Sequence, residues 1–204
     1  MDSINNLIIE ESIVSILKAL GEDPKREGLK DTPKRVRKSY SKLFEGYGKK
    51  AEDILITDFS ECSNYDQMII SEKIHFYSMC EHHMLPFFGY AYVAYIPGKI
   101  KTEEKDLWDQ PIHKTKVVGI SKLSRLVDIH ARRLQIQERM TQDIADDIQR
   151  ILKPAGIGVI IKAQHFCMTA RGVEKQESKM TTSAMTGVFR EDNVRQEFLQ
   201  LIKI

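Results

Sequence analysis

The sequence lacks most features that would place a protein by composition alone. Its three cysteines, Cys62, Cys80 and Cys167, are irregularly spaced among 204 residues, which argues against a disulfide framework and for a reducing compartment. No apolar run approaches the ~20 residues of a membrane span. The start Met1-Asp2-Ser3 is acidic and weakly apolar, unlike a secretory leader. A cytoplasmic protein without a membrane partner is therefore expected. A net charge of only +2 supplies no field for nucleic acid, so any anionic ligand must be held by a local basic cluster. No internal repeat or low-complexity tract is present, and there is a single tryptophan, Trp108. The apolar fraction of 42% and charged fraction of 29% suit one soluble domain, with room for a small N-terminal appendage.

Periodicity orders the chain. Ile13, Ile16, Leu17 and Leu20 predict an amphipathic helix over residues 4–20, closed by Gly21. Thr32-Pro33 reads as a cap followed by proline at the first position of a second helix. That helix carries Val36, Tyr40, Leu43 and Phe44 on one face and Lys34, Arg35, Arg37 and Lys38 on the other. On charge alone such a basic face is a solvated surface. Met68, Ile70, Ile74 and Phe76 alternate as a half-buried strand running into Cys80, and Phe87 to Ile96 forms a second strand ended by Pro97-Gly98. Thr115 to Ile120 is expected to return beside it as a hairpin with a long polar tip. Ser121 is expected to cap a helix bearing Leu123, Leu126 and Val127. After a break near Arg132 to Gln135, a further helix carries Met140, Ile144, Ile148 and Leu152. Ile157, Val159, Ile161, Ala163, His165 and Cys167 then occupy alternate positions, which would place the last two on one strand face. Met180 to Phe189 reads as a last strand, and Val194, Phe198, Leu201 and Ile202 as a closing helix. The order predicts an α+β domain built on an antiparallel sheet.

Within that framework Cys80-Glu81-His82-His83 concentrates metal-binding and proton-transferring groups. Cys80 and His83, three apart, can address one ion, but no second close pair exists to complete a structural zinc site. Gln164-His165-Phe166-Cys167 offers one further thiolate and imidazole. Three protein ligands with a fourth position left open describe a catalytic zinc site, where water becomes nucleophilic near neutral pH.

Residues spread along the chain also resemble a known family. Cys80-Glu81-His82-His83-Met84-Leu85-Pro86-Phe87-Phe88-Gly89 is similar to the zinc-site signature of GTP cyclohydrolase I. Gly119-Ile120-Ser121-Lys122-Leu123-Ser124-Arg125, Gln135-Ile136-Gln137-Glu138-Arg139, His165-Phe166-Cys167-Met168, Ala170-Arg171-Gly172-Val173, Thr182-Ser183-Ala184-Met185 and Gly187-Val188-Phe189 continue the likeness in order. The resemblance runs from about Glu11 to the C-terminus. It implies conversion of GTP to 7,8-dihydroneopterin triphosphate and formate, the first step toward folate- or biopterin-type pterins. It also implies the tunnelling fold: an antiparallel four-stranded sheet with helices on one face and an N-terminal helical appendage. The sheets would join into a β-barrel ring by homo-oligomerisation, a decamer of two face-to-face pentamers with active sites at subunit interfaces. Residues 1–60 would form the N-terminal helical region and 61–204 the catalytic domain.

Carried onto this sequence, the resemblance implies that Cys80, His83 and Cys167 hold Zn2+ and that His82 and His165 transfer protons. Glu138, backed by Gln137, would recognise guanine. Ser121, Lys122, Arg125, Arg171, Arg35 and Lys38 would cradle the triphosphate, which moves the basic helix face from solvated surface to function. The chemistry agrees: hydration of guanine C8 and protonation of N7 call for activated water and a histidine. A carboxylate can pair with N1–H and the exocyclic amine, a donor set that adenine lacks. Other enzymes of the tunnelling fold fit less well, because a pyruvoyltetrahydropterin synthase uses three histidines on zinc and a nitrile reductase a cysteine nucleophile without zinc. A purely structural or regulatory zinc protein would have no need of His165, Glu138 and the basic residues together. His75, His113 and His130 have no motif support and read as structural or exposed. In one respect the chain departs from the family: residues 98–116 make an unusually long connection, expected to be an exposed hairpin at the outer edge of the ring.

Overall fold

The computed structural model describes residues 3–55, 58–59, 65–105, 107–108, 111–115 and 117–203; Cys62 and the boundary expected at residue 60 lie outside them. Two compact units result, Met1–Glu45 and Gly46–Ile204. The first is a helical pair, α1 (Ser3–Ala19) and α2 (Thr32–Leu43). Gly21 ends α1 in the left-handed region at φ +83°, a conformation that favours glycine. Proline at the start of α2 suits a position whose N–H needs no partner, although the cap falls on Asp31 and not on Thr32. Arg37 Nε donates to Glu10 Oε1 at 2.6 Å, joining the two helices.

The second unit runs α3 (Glu52–Leu55), β1 (Asp58–Phe59), β2 (Ile69–Cys80), β3 (Pro86–Ile96), β4 (Lys99–Lys105), β5 (Pro111–Thr115) and β6 (Val117–Val118). It continues through α4 (Ile120–Ala131), β7 (Leu134–Gln135), α5 (Gln137–Leu152), β8 (Gly156–His165), α6 (Phe166–Thr169), β9 (Met180–Gly187) and α7 (Asp192–Ile202). The main sheet has five strands in the order β7-β2-β3-β8-β9. Four are antiparallel as expected, but β7 joins β2 in parallel, so the sheet is mixed. A two-residue strand between two helices is too short to carry a periodic signal, which explains why it was not foreseen.

The α+β class therefore holds, with corrections of detail. Helices do not lie on one face only. Ala91, Val93, Tyr95, Ile157, Val159 and Ile161 meet Leu126, Met140, Ile144 and Ile148 of α4 and α5 in the larger core. Tyr92, Ala94 and Ile160 point the other way and pack against Phe198 and Ile202 of α7. β3 and β8 are apolar at both parities toward Ile96 and Gly156, where both faces are covered; toward Pro86 and His165 one face opens, with Tyr90 exposed and Lys162 and Gln164 half-buried.

The alternation read through Met68, Ile70, Ile74 and Phe76 is broken. Ser71 pairs with Val93 and Ile74 with Ala91, so β2 spends one more residue than β3 across that interval. Lys73 sits within this bulge at φ +52°. The extra residue inverts the faces: Met68 and Ile70 belong to the α7 side, Ile74 and Phe76 to the α4–α5 side. Periodicity cannot reveal such a bulge, because the apolar parity on either side of it is the same.

The expected hairpin between β3 and Thr115–Ile120 does not form. β4 pairs with β5 in a separate two-stranded sheet, while β6 pairs with β1. Nor does β8 extend to Cys167, since the chain turns into α6 at Phe166. Gly119, not Ser121, caps α4.

His130, which has no role in the metal motif, is buried between α4 and α5. Its Nε2 lies 2.9 Å from Asp147 Oδ2, and its Nδ1 lies 3.9 Å from Asp143 with no hydrogen-bond partner. Burial pushes the imidazole's pKa down, outweighing the attraction of Asp147 and Asp143, while Arg133 pushes in the same direction as burial. The native state thus refuses a proton that the unfolded chain accepts below about pH 6.5. Stability is expected to fall as pH drops through that value, by at most about 1.4 kcal/mol per pH unit for one proton. Denaturant unfolding between pH 5 and 7 should show this slope, and His130→Gln should flatten it.

Candidate metal and proton-transfer site

The site is built where β2 turns into β3. Cys80 is the last residue of β2 and is buried. Its N–H donates to Leu85 O at 2.8 Å, and Met84 N–H donates to Cys80 O at 2.8 Å, closing a tight turn around Glu81-His82-His83. Met84 adopts φ +52°, a sparsely populated conformation for a non-glycine residue. The turn is tied down from the side by β7. Cys80 registers with Gln135, and Glu81 N–H donates to Gln135 O at 3.1 Å. From the first turn of α5, Arg139 pairs with the Glu81 carboxylate, and its Nε donates to Gln135 Oε1 at 2.9 Å.

Cys80, His83 and Cys167 converge, each offering one ligand atom, with those atoms all within 4.8 Å of one another. Cys80 Sγ and His83 Nδ1 are 3.9 Å apart. Zinc–sulfur and zinc–nitrogen bonds of ~2.3 and ~2.0 Å subtend tetrahedral edges of about 3.5–3.8 Å, so this donor set fits such an ion. Burial, reinforced by neighbouring Cys80, pushes the Cys167 thiol's pKa up. A bound cation would therefore have to displace a proton there. Although the strand ends before Cys167, the first turn of α6 delivers its sulfur to the other two ligands. The thiol expected from an extended strand arrives by a helical turn.

His165 closes β8, opposite Phe87 in the β3–β8 register, and the two rings stack at 4.6 Å with an interplanar angle of 1°. The register depends on Gly89, where a Cβ would lie 2.0 Å from Lys162 O. His165 Nε2 lies 2.8 Å from Gln137 Oε1. Burial lowers the pKa of His165, partly countered by the charge of Glu138. Gln137 is only 1% exposed and its amide is turned inward, whereas Glu138 beside it is exposed. His82 is exposed and its ring centroid lies 6.3 Å from that of His83.

The basic residues fall in three places. Exposed Ser121 and Arg125, with half-buried Lys122, occupy the first turns of α4. Arg171, exposed after α6, has Nη1 3.0 Å from His83 Nε2. Arg35 and Lys38 are exposed on α2 of the N-terminal unit, Arg35 with Asp31 at 3.8 Å. Thr141, Thr182, Phe87 and the Glu81–Arg139 pair received no role from sequence reasoning. Thr182 and Arg139 stood within recognised motifs, but only the packing shows what they touch.

A family model described as GTP cyclohydrolase I matches residues 9–102 and 110–203, passing over residues 103–109. The chain is 50% identical to GTP cyclohydrolase 1 of Wolinella succinogenes over 198 residues, covering 97% of each. It is 48% identical to GTP cyclohydrolase 1 1 of Pseudomonas aeruginosa, again covering 97% of each. With GTP cyclohydrolase 1 of Chlorobaculum tepidum the identity is 50% over 94% of this chain and 79% of that one. Membership is thus carried by the whole sequence and not by the metal motif alone: the chain belongs to the GTP cyclohydrolase I family.

Proposed function

We propose that this chain performs the reaction of its family, hydrolysing GTP at guanine C8 to give 7,8-dihydroneopterin triphosphate and formate. The observation that carries the reading is the convergence of Cys80, His83 and Cys167 beside His165, in a chain half-identical over nearly its whole length to GTP cyclohydrolases. Zn2+ is the proposed occupant, and when bound it supplies a Lewis acid that makes water nucleophilic near neutral pH.

The residues around it divide the remaining work. Held neutral by burial, His165 can take a proton as water adds to C8 and deliver it to N7, and the C8–N9 bond then breaks as the new C8 hydroxyl gives up its proton and N9 gains one. Hydrolysis of the resulting formamide releases formate. His82 serves the proton transfers of ribose opening, rearrangement and reclosure. The Glu138 carboxylate accepts from guanine N1–H and the 2-amino group, and Gln137 backs it from the adjacent position. Ser121, Lys122, Arg125 and Arg171, with Arg35 and Lys38 from the N-terminal unit, neutralise the triphosphate, the arginines through bidentate contacts. Arg171 is also linked to the metal ligand set. Arg171 can only donate, so its contact requires a lone pair on His83 Nε2. Were His83 to hold the ion through Nδ1, its ring proton would sit on Nε2 and Arg171 would be free to turn toward the phosphates. The family implies an oligomeric enzyme, and a decamer of two pentamers is the assembly proposed.

Three outcomes test this reading. Zinc-loaded protein should release formate from GTP and not from ATP, and His165→Ala should abolish that release with the fold intact. Glu138→Gln should cost at least 10-fold in kcat/KM for GTP by leaving the guanine donors poorly matched, measured by formate and pterin absorbance. Cys167→Ala should lose most bound zinc and activity while circular dichroism is retained, whereas a structural zinc site would lose its fold with the metal. Deleting Lys101 to Lys114 should preserve turnover while changing oligomer size. Lost turnover in a still-assembled deletant would count against an edge position for the hairpin.

A further inference from the structure

A buried chain of polar groups leads from α5 through β9 to the ring of His165, and its donors and acceptors can be assigned. Gln137 Nε2 lies 3.0 Å from Ile161 O, 3.1 Å from Met180 O and 3.0 Å from Thr182 Oγ1. Two of these are backbone carbonyls, which only accept, so the group facing them must be the NH2 end of the amide. Gln137 Oε1 therefore points the other way and can only accept. The atom it meets, His165 Nε2 at 2.8 Å, must be the donor. A neutral imidazole holding its proton on Nε2 carries its lone pair on Nδ1.

Thr182 and Thr141 complete the arrangement. Their hydroxyl oxygens lie 2.6 Å apart, and Thr141 Oγ1 also lies 2.7 Å from Gln137 O, one helical turn back. Thr182 sits opposite Ile161 in the β8–β9 register, so β9 presents its hydroxyl beside the carbonyl of its paired residue. Gln137 and Thr141 are each 1% exposed, which leaves no water to take over a bond that either loses. Reversing the Gln137 amide would set its carbonyl against two others and its N–H2 against His165.

We infer that Gln137, held by Ile161 O, Met180 O and the Thr182–Thr141 hydroxyl pair, is a positioning residue that fixes the proton of His165 on Nε2 and presents Nδ1 as the working atom. The stacked Phe87 fixes the plane of the ring, and the amide fixes its rotation within that plane. The inference rests on His165 as the proton-transfer group proposed above. It gives Gln137 a task other than contacting guanine, and gives Thr182 and Thr141 their first.

The test uses full-length, zinc-loaded protein labelled with 15N-histidine, with the His165 signals assigned by their loss in His165→Ala. The wild type should show His165 as the Nε2–H tautomer; the Nδ1–H tautomer would overturn the inference. Gln137→Met should lower kcat for formate release about 10- to 100-fold, the range typical of removing a partner that orients a working histidine. KM for GTP and zinc content should stay within about two-fold, and the His165 signal should shift or split. Raised KM with kcat and tautomer unchanged would overturn the inference and make Gln137 a guanine contact. Should Gln137→Met lose zinc or assembly, Thr182→Val decides: a several-fold loss of kcat, restored by Thr182→Ser, supports the chain, and unchanged kcat refutes it. Full turnover by His165→Ala would sink the catalytic reading instead, while the wild-type tautomer would still decide the positioning claim.

Discussion

Everything at the site depends on the seam where the end of β2 meets the junction between α4 and α5. Two residues of parallel pairing, Met79 with Leu134 and Cys80 with Gln135, join a metal-ligand turn to the helix that carries Gln137 and Glu138. The pairing alone is short, and parallel bonds are slightly the weaker kind. Side chains reinforce it from both sides: Arg139 reaches back to Gln135 and across to Glu81, and Glu81 N–H bonds to Gln135 O. The Glu81–Arg139 pair is partly exposed, so solvent screens it and it adds little stability. Its value lies in geometry, because it sets the distance between the thiolate end of the site and the carboxylate end.

The sheet makes that seam rigid. β3 and β8 pair from Phe87–His165 to Ile96–Gly156, and that register places Phe87 against His165 through the close approach at Gly89. A side chain there would collide with Lys162 O, so the register and the position of His165 are fixed together. α5 adds the other constraint. Met140, Ile144 and Ile148 are fully buried and lock the helix to β8 and β9. With each such side chain contributing about 1.5–3 kcal/mol by burial, the helix start has little freedom to drift from the strand ends. Only on so fixed a frame can one amide select a tautomer.

Much of this was legible in the residues themselves. The candidate metal ligands stood out because Cys, His and Cys have few reasons to gather in a chain with three cysteines. The five longer helices, β3 and most of the interior strand β8 followed from periodicity and from runs of β-branched and aromatic residues. Several failures turned on one or two backbone residues that leave no mark on composition. The bulge at Lys73 inverts the faces of β2, α6 begins at Phe166 and not beyond Cys167, and β7 is two residues long. The roles of the basic residues came from resemblance, since Ser121, Lys122 and Arg125 on an exposed turn look like any solvated helix start.

The same contrast explains why Gln137 and Glu138 could not be told apart in the sequence. They are adjacent, polar and equally compatible with a helix start, yet one is buried and the other faces solvent. A helix turns ~100° per residue, so neighbours in sequence point to different surroundings. Here the inward one meets the middle of β8 and the start of β9, where two carbonyls and a hydroxyl accept from its N–H2, and the outward one remains accessible. An amide suits the first position because it donates and accepts at once. A carboxylate suits the second, where it only accepts and would match the paired N–H groups of the guanine proposed to bind there. Exchanging the two would leave a buried charge facing backbone carbonyls, a cost that no gain in substrate contact would offset. The order Gln-Glu at the start of α5 is therefore a consequence of the groups that β8 and β9 present to it.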